Sequence, residues 1–376
     1  MRPTIAEIDL SAIAFNIQQI QKRVSPAQIM AVVKADAYGH GAVPVARTAI
    51  ENGASYLGVA LVEEGMELRR HGISHPILVF GGAFEEQLND FFEYNLEMTV
   101  YTEEIAQQLS LLANKRQQPI GVQVNVDTGM GRVGVPFHKA VSFIENLSRL
   151  EGIQLKGIYT HFATSDEKDK TYARLQFERF QNVIQELEQK SLSIPFKHAA
   201  NSGAILDLPE TYLDMVRPGV MMYGYYPSDE TSESVPIKPA MTFKTKVSFI
   251  KDVPENTSLS YGRKYITKKP TRIATLPLGY ADGYNRLLTN RGIVTIRGQK
   301  FPVVGRVCMD LILVDLGDDK SIQINDEVIL FGSREDNAFT VNEICKIRMF
   351  NYISIFHHPP QRYDIHTIMV NFKMLF

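Results

Sequence analysis

The stretch Ile29-Met30-Ala31-Val32-Val33-Lys34-Ala35-Asp36-Ala37-Tyr38-Gly39-His40-Gly41 runs an apolar segment into a lysine and then into two glycines. A helical apolar pattern follows over 42–52. A short apolar run bounded by turn residues and followed by a helix reads as a buried parallel strand with its βα turn. The same unit recurs outward from it. Strands are predicted at 29–33, 56–60, 77–80, 96–101, 120–126, 155–160, 196–198 and 215–223. Helical patterns between them include 42–52, 63–71, 102–114, 138–150 and 172–189. Eight such strands are the number that closes a (β/α)₈ barrel, whose active site lies at the C-terminal ends of the strands.

The alternation then stops. Pro227-Ser228-Asp229-Glu230-Thr231-Ser232-Glu233-Ser234 is polar and acidic and reads as a linker. Beyond it come short β-branched or alternating runs at 241–250, 272–276, 292–297, 302–307, 311–314 and 327–330, separated by turn residues. The expected organisation is α/β: a TIM-type barrel over 1–233 and a mostly-β domain over 234–376.

Composition narrows the function. Of 376 residues, 44% are hydrophobic and 22% charged, as in a globular protein, and the length suits two domains. A net charge of -2 provides no broad basic field for nucleic acid or anionic lipid. Two cysteines, Cys308 and Cys345, make neither a disulfide framework nor a metal-ligand spacing, and fit a reducing cytosol. Glu7 and Asp9 fall where a signal peptide would need its apolar run. No apolar stretch is long enough to span a bilayer. The expectations are a cytoplasmic protein with no metal, no nucleic acid and no membrane.

Most lysines that follow a strand sit on the surface. Lys34 continues an apolar strand at the barrel's active face, where partial burial lowers an amine's pKa as a Schiff-base lysine requires. The segment from Val32 to Gly41 resembles the pyridoxal 5′-phosphate attachment signature of the alanine racemases. The resemblance continues through Val126-Asp127-Thr128-Gly129-Met130-Gly131-Arg132, Thr160-His161-Phe162-Ala163, Ala200-Asn201-Ser202 and Val216-Arg217-Pro218-Gly219-Val220. It then takes in Ser260-Tyr261-Gly262, Leu278-Gly279-Tyr280-Ala281-Asp282-Gly283 and Gly305-Arg306-Val307-Cys308-Met309-Asp310.

The resemblance implies a head-to-tail homodimer acting on alanine, each site built from one barrel and the partner's β domain. Lys34 would hold the cofactor and serve the D-alanine face. Tyr261 of the other subunit would serve the L-alanine face, with His161 and Arg217 in a hydrogen-bonded chain behind it. A free tyrosine titrates near 10, too high for an efficient base at neutrality, so its phenolate needs such support. Arg217 would also meet the cofactor's ring nitrogen, where a donor that stays protonated limits the electron sink and suppresses transamination. The phosphate would fall to Ser202, Gly219, Val220, Tyr38 and Tyr352, with Asn201 and His198 flanking the cofactor. Arg132 and the Met309 N–H would bind the substrate carboxylate, and Tyr280 would narrow the entrance.

Two departures stand out. Asn125 occupies a position often held by a lysine whose carbamate pairs with the arginine matching Arg132; here Asn125 itself or a bound anion would have to position Arg132. After Asn351-Tyr352 the chain resembles no family tail. His357 and His358 suggest no third ligand. The competing readings are a serine-preferring or broader racemase, a decarboxylase and a non-catalytic barrel that binds the cofactor. Arg217 argues against the decarboxylase, and the β domain against the barrel alone.

Overall fold

The computed structural model describes residues 2–333 and 337–347, together with the backbone of Asp364–Ile368. Its chain divides into two compact units, Ile13–Ile237 and Met1–Ala12 with Lys238–Phe376. The first strand, β1 (Ile5–Asp9), belongs to the latter.

In the unit Ile13–Ile237, eight parallel strands form the barrel. They are β2 (Gln28–Val32), β3 (Ala54–Val59), β4 (Ile77–Val79), β5 (Glu97–Val100), β6 (Ile120–Asp127), β8 (Ile153–Tyr159), β9 (Phe196–Asn201) and β10 (Met215–Arg217). A short strand, β7 (Val135–Pro136), lies beside the end of β6. The order is β5-β4-β3-β2-β10-β9-β8-β6, and β6 closes back onto β5. The helices turn apolar stripes inward: in Phe137–Ser148 the buried residues Ala140, Phe143, Ile144 and Leu147 recur at helical spacing.

The barrel interior holds Met30, Tyr56, Leu78, Tyr159 and Met215 in one cluster. Barrel cores are normally filled by branched aliphatic side chains. Here Thr99, Gln123, His198 and Arg217 are also buried. Polar groups in such a place need partners, because an unpaired one loses water without compensation.

The last barrel strand is shorter than the predicted 215–223. It ends at Arg217, because Pro218 supplies no N–H to a ladder, and Val220–Tyr223 forms a 3₁₀ turn instead.

The second unit is mostly antiparallel. Its strands are β11 (Met241–Lys246), β12 (Phe249–Val253), β13 (Ser258–Leu259), β14 (Tyr265–Ile266), β15 (Thr271–Leu276), β16 (Ile293–Ile296), β17 (Gln299–Val304), β18 (Ile312–Gly317), β19 (Glu327–Phe331) and β20 (Asp364–Ile368). The main sheet runs β12-β15-β18-β17-β16-β19-β11-β1-β20, and β13 pairs with β14. β18 buries every second residue, as a strand with one covered face does.

The first twelve residues, expected with the barrel, join this sheet. Ile5 pairs with Lys244 and Ile8 with Met241 in an antiparallel ladder, and β20 runs parallel on the other side of β1. The alternation in Ile5-Ala6-Glu7-Ile8-Asp9 suits a sheet with one buried face. Lys244 ties the strands together by contacting Glu7 and Glu327. Tyr352, His357 and His358 lie outside the described residues. No helix among the described residues is long and apolar enough to cross a membrane.

Candidate active site

Lys34 follows β2 at the C-terminal mouth of the barrel. The four residues after it, Ala35, Asp36, Ala37 and Tyr38, all adopt the left-handed conformation, with φ of 52, 52, 53 and 55°. Each such residue costs roughly 1–2 kcal/mol, so a run of four exists only where contacts impose it. The Ala35 N–H donates to Glu64 Oε1 at 2.5 Å and the Ala42 N–H to Asp36 Oδ1 at 2.6 Å. The Ala37 N–H reaches the Val33 carbonyl at 2.9 Å. Tyr38 is thereby buried against Tyr223 (ring centroids 4.9 Å apart), whose hydroxyl donates to the Val32 carbonyl.

Tyr38 ends beside the turn that follows β10. A Cβ placed on Gly219 would meet the Tyr38 hydroxyl at 2.9 Å and lie 3.9 Å from Ser202 Oγ. Ser202 Oγ accepts the N–H of Gly219 at 2.9 Å and of Met221 at 3.4 Å. Val220 opens the 3₁₀ turn and is buried. Tyr38, Ser202 and Gly219 thus lie together, with Val220 next along the chain. Asn201 has a structural duty: its side-chain oxygen caps the next helix, accepting from the Ala204 N–H and the Ser165 hydroxyl.

Burial, and then the charge of Arg132, lower the pKa of Lys34, while Glu64 opposes the shift. His161 is pushed down to about 3 by burial and by the positive charges of Arg217, Arg132 and Lys34. These four residues therefore share one region of the mouth. Arg217 is fully buried in the wall beneath it. Its Nη1 lies 2.7 Å from His198 Nδ1, and its Nη2 donates to the carbonyls of Thr160 (2.7 Å) and Ala199 (3.0 Å). The expected side-chain chain from His161 to Arg217 takes another form. Arg217 bonds to His198, and it reaches His161 through the preceding carbonyl and through its field.

Arg132 sits on a loop shaped by Asp127, whose carboxylate accepts the N–H groups of Gly129 and Gly131. Asn125 donates to the carbonyl of Val133 at 3.4 Å, holding the backbone one residue beyond Arg132. Gln176, a residue that sequence reasoning missed, locks this loop to His161. Its amide donates to Thr128 Oγ1 and the His161 carbonyl and accepts from the Ala163 N–H. Nothing in its helical surroundings marks Gln176 except that a glutamine occupies a buried position.

The second unit carries Tyr261, Tyr280 and Met309 on adjoining segments. Tyr261 follows Ser260, which is strained at φ 62°, ψ −179°. Ser260 Oγ donates to the Arg306 carbonyl at 2.7 Å and lies 3.4 Å from Cys308 Sγ. The N–H groups of Tyr280 and Ala281 donate to the carbonyls of Cys308 and Met309. Gly279 permits this approach, since a Cβ there would lie 2.2 Å from the Cys308 carbonyl oxygen. Asp282 anchors the loop through Arg2 and the Gly279 N–H. The three side chains remain open to solvent within the chain, Tyr261 at 69% and Tyr280 and Met309 at 45% each.

Comparison with known proteins decides the family. The description "Alanine racemase, N-terminal domain" matches residues 8–227, and "Alanine racemase, C-terminal domain" matches residues 240–364. The chain belongs to the alanine racemase family. Alanine racemase 2 of Caldanaerobacter subterraneus is 48% identical over 348 residues, covering 92% of this chain and 90% of that protein. The alanine racemase of Clostridium perfringens strain SM101 is 46% identical over 379 residues, covering 99% and 98%. Among solved structures, the alanine racemase of Clostridium difficile 630 superposes with a TM-score of 0.93 at 40% identity, covering 98% and 96%. That of Bacillus anthracis with bound L-Ala-P gives 0.88 at 35%, covering 95% and 92%.

Alanine racemases depend on pyridoxal 5′-phosphate, and the residues present fit it. The Tyr38 and Ser202 hydroxyls and the Gly219 amide converge where an added Cβ would be crowded. A phosphate group suits such a set, since it accepts from hydroxyls and backbone amides alike. Lys34, with its lowered pKa, stands on the same turn as Tyr38.

Proposed function

We propose that the protein interconverts L-alanine and D-alanine with pyridoxal 5′-phosphate attached to Lys34. The observation that carries this is the setting of Lys34. It is half-buried, close to Arg132 and His161, and joined by one rigid turn to the hydroxyl of Tyr38. When bound, the cofactor supplies the electron sink that allows an amino acid's Cα–H bond to break.

The chain's own residues then have separable tasks. Tyr38, Ser202, Gly219 and Val220 bind the phosphate, and Tyr352 is proposed to join them. Arg132 binds the substrate carboxylate with the Met309 N–H, and Tyr280 narrows the entrance so that a methyl side chain is preferred. Lys34, which burial makes easier to deprotonate, moves the proton on one face of Cα. Tyr261 moves it on the other. A single base would tend to return the proton to the face it came from; two groups on opposite faces avoid this. His161 stays neutral near pH 7 and supports Tyr261. Arg217 stays protonated and donates to the cofactor's ring nitrogen.

Tyr261, Tyr280 and Met309 leave an aromatic and apolar patch exposed on the second unit. We assign this patch to the barrel mouth of a partner in a head-to-tail homodimer. The product's use is proposed to be D-alanine supply for peptidoglycan in the cytoplasm.

Chiral chromatography of the purified protein with L-alanine and L-serine tests the reaction: D-alanine must form, and faster than D-serine. Mixing Lys34→Ala with Tyr261→Phe tests the shared site. Random re-pairing of two inactive variants should restore roughly a quarter of wild-type activity, because half the dimers are mixed and each mixed dimer keeps one intact site. No recovery would place Tyr261 in its own chain's site.

A further inference from the structure

Arg217 is the near end of a buried polar chain that crosses the barrel. Arginine has five N–H donors and no acceptor. With Nη1 2.7 Å from His198 Nδ1, that ring nitrogen must be the acceptor. Burial and the charge of Arg217 push the His198 pKa well down, so the ring is neutral and its one proton sits on Nε2. Nε2 lies 2.7 Å from Gln123 Oε1. The glutamine amide is thereby oriented, and its Nε2 donates to Glu97 Oε2 at 2.8 Å. Glu97 Oε1 accepts from the Tyr56 hydroxyl at 2.7 Å.

From Arg217 to Glu97 every link points the same way, from a group that only donates to a carboxylate that, when ionised, only accepts; Tyr56 donates to that carboxylate from its other side. The links join β10, β9, β6, β5 and β3. Arg217 ends β10 at the mouth, whereas Glu97 begins β5 at the opposite end of the barrel. Tyr159 keeps the imidazole from turning over. Its ring stacks on His198 at 4.9 Å and 16°, lies under the Arg217 guanidinium at 5.2 Å, and is pinned by its hydroxyl to Thr99. A flipped ring would put carbons where both nitrogens now bond. Aliphatic side chains would fill this space without needing partners, so packing alone does not call for the chain.

We propose that Gln123 and Glu97 are positioning residues for the reaction: through His198 they fix the tautomer that orients Arg217 at the barrel mouth. Neither residue lies at the mouth. They act from the interior and from the far end of the barrel. The catalytic consequence rests on the reading of Arg217 given above; the tautomer itself does not.

The test is ¹⁵N NMR of histidine-labelled protein, first stripped of cofactor and then loaded, with His198 assigned by its loss in His198→Asn. In the wild type, Nδ1 should give the signal of an unprotonated nitrogen and Nε2 that of a protonated one. Gln123→Met keeps the volume but removes the link, so both signals should move towards a mixed tautomer. In the loaded enzyme, Gln123→Met should lower kcat several-fold with little change in KM, and pyridoxamine phosphate should accumulate faster per turnover. Gln123→Glu keeps an acceptor facing His198 Nε2 in either protonation state, so its His198 signals should stay with those of the wild type where Gln123→Met departs from them. A protonated Nδ1 in the wild type would overturn the proposal. So would Gln123→Met with unchanged His198 signals and unchanged kcat. If the loaded protein fails to racemise alanine, the proposed function fails, while the cofactor-free spectra still decide the role of Gln123 and Glu97.

Discussion

The carboxylate of Glu64 holds the backbone of Ala35, the residue next to Lys34, through a 2.5 Å bond from the Ala35 N–H. Its other oxygen accepts from the N–H groups of Ala60 and Leu61 at the start of the helix Val62–Arg70. One side chain therefore ties the βα turn after β3 to the left-handed turn after β2. Glu64→Ala orphans three donors and releases a strained turn. Because Ala35 and Leu61 are open to water, the expected loss is about 1–3 kcal/mol in all. The larger effect should be on the position of Lys34. Urea unfolding reads the first, and the rate at which added pyridoxal 5′-phosphate develops its bound absorbance band reads the second.

Gly219 faces Tyr38 with no room for a methyl group. Gly219→Ala should weaken cofactor binding by at least roughly tenfold, about 1.4 kcal/mol. Tyr38→Phe removes the oxygen that the new Cβ would strike. The double variant should therefore bind better than the sum of the single losses, a coupling that equilibrium dialysis of the three proteins measures. Strict additivity would mean the two residues do not share a site.

Acid should unfold the protein early. Burial pushes the pKa of His40 down to about 4 and that of His161 down to about 3, and it carries His198 well below its ordinary value. Unfolded histidines titrate near 6.5. Above that pH both states are neutral at these positions and stability is level. As pH falls below it, the unfolded chain takes up protons that the folded chain refuses, so stability drops between about 6.5 and 4. Urea midpoints over this range should fall in wild type. In His40→Gln the slope should be shallower by up to one proton.

Ser260 pairs a strained backbone with an anchoring hydroxyl just before Tyr261. Its φ and ψ fall in a region that belongs almost solely to glycine, at a cost of about 1–3 kcal/mol. Ser260→Ala keeps the strain and loses the anchor, so it should lower the melting temperature. Ser260→Gly loses the anchor but also the strain, and should come closer to wild type in stability. Both should reduce racemisation if the hydroxyl sets the aim of Tyr261. Equal melting temperatures for the two variants would remove the strain argument.

Much of this was legible in the chain. The eight strands of the barrel were read from apolar runs, because a parallel strand covered on both faces shows itself as an unbroken run. The break at Pro218-Gly219 is also visible in the sequence, and it is why the strand predicted over 215–223 ends at Arg217. The alternation in Ile5-Ala6-Glu7-Ile8 could have marked β1, but its partner lies far along the chain. The left-handed turn is invisible in the sequence: Ala-Asp-Ala-Tyr has no preference for that conformation, which Glu64 imposes from outside the run and Asp36 fixes through the Ala42 N–H. Gln123 shows in Val122-Gln123-Val124-Asn125-Val126 as a polar residue at strand period, a sign of an inward-facing position. Its bond to His198 depends on barrel closure, which no local pattern contains.

The pairing of Ile5 with Lys244 gives this sheet an order of assembly. During translation β1 emerges early and β11 only after the whole barrel. At about 5–20 residues per second, β1 waits on the order of ten to fifty seconds for its neighbour. Through that interval an alternating strand with an open edge precedes a barrel that can already close, and open edges are where chains find wrong partners. A ribosome stalled once Ile237 has left its exit tunnel would hold a complete barrel preceded by a strand with nothing to pair with.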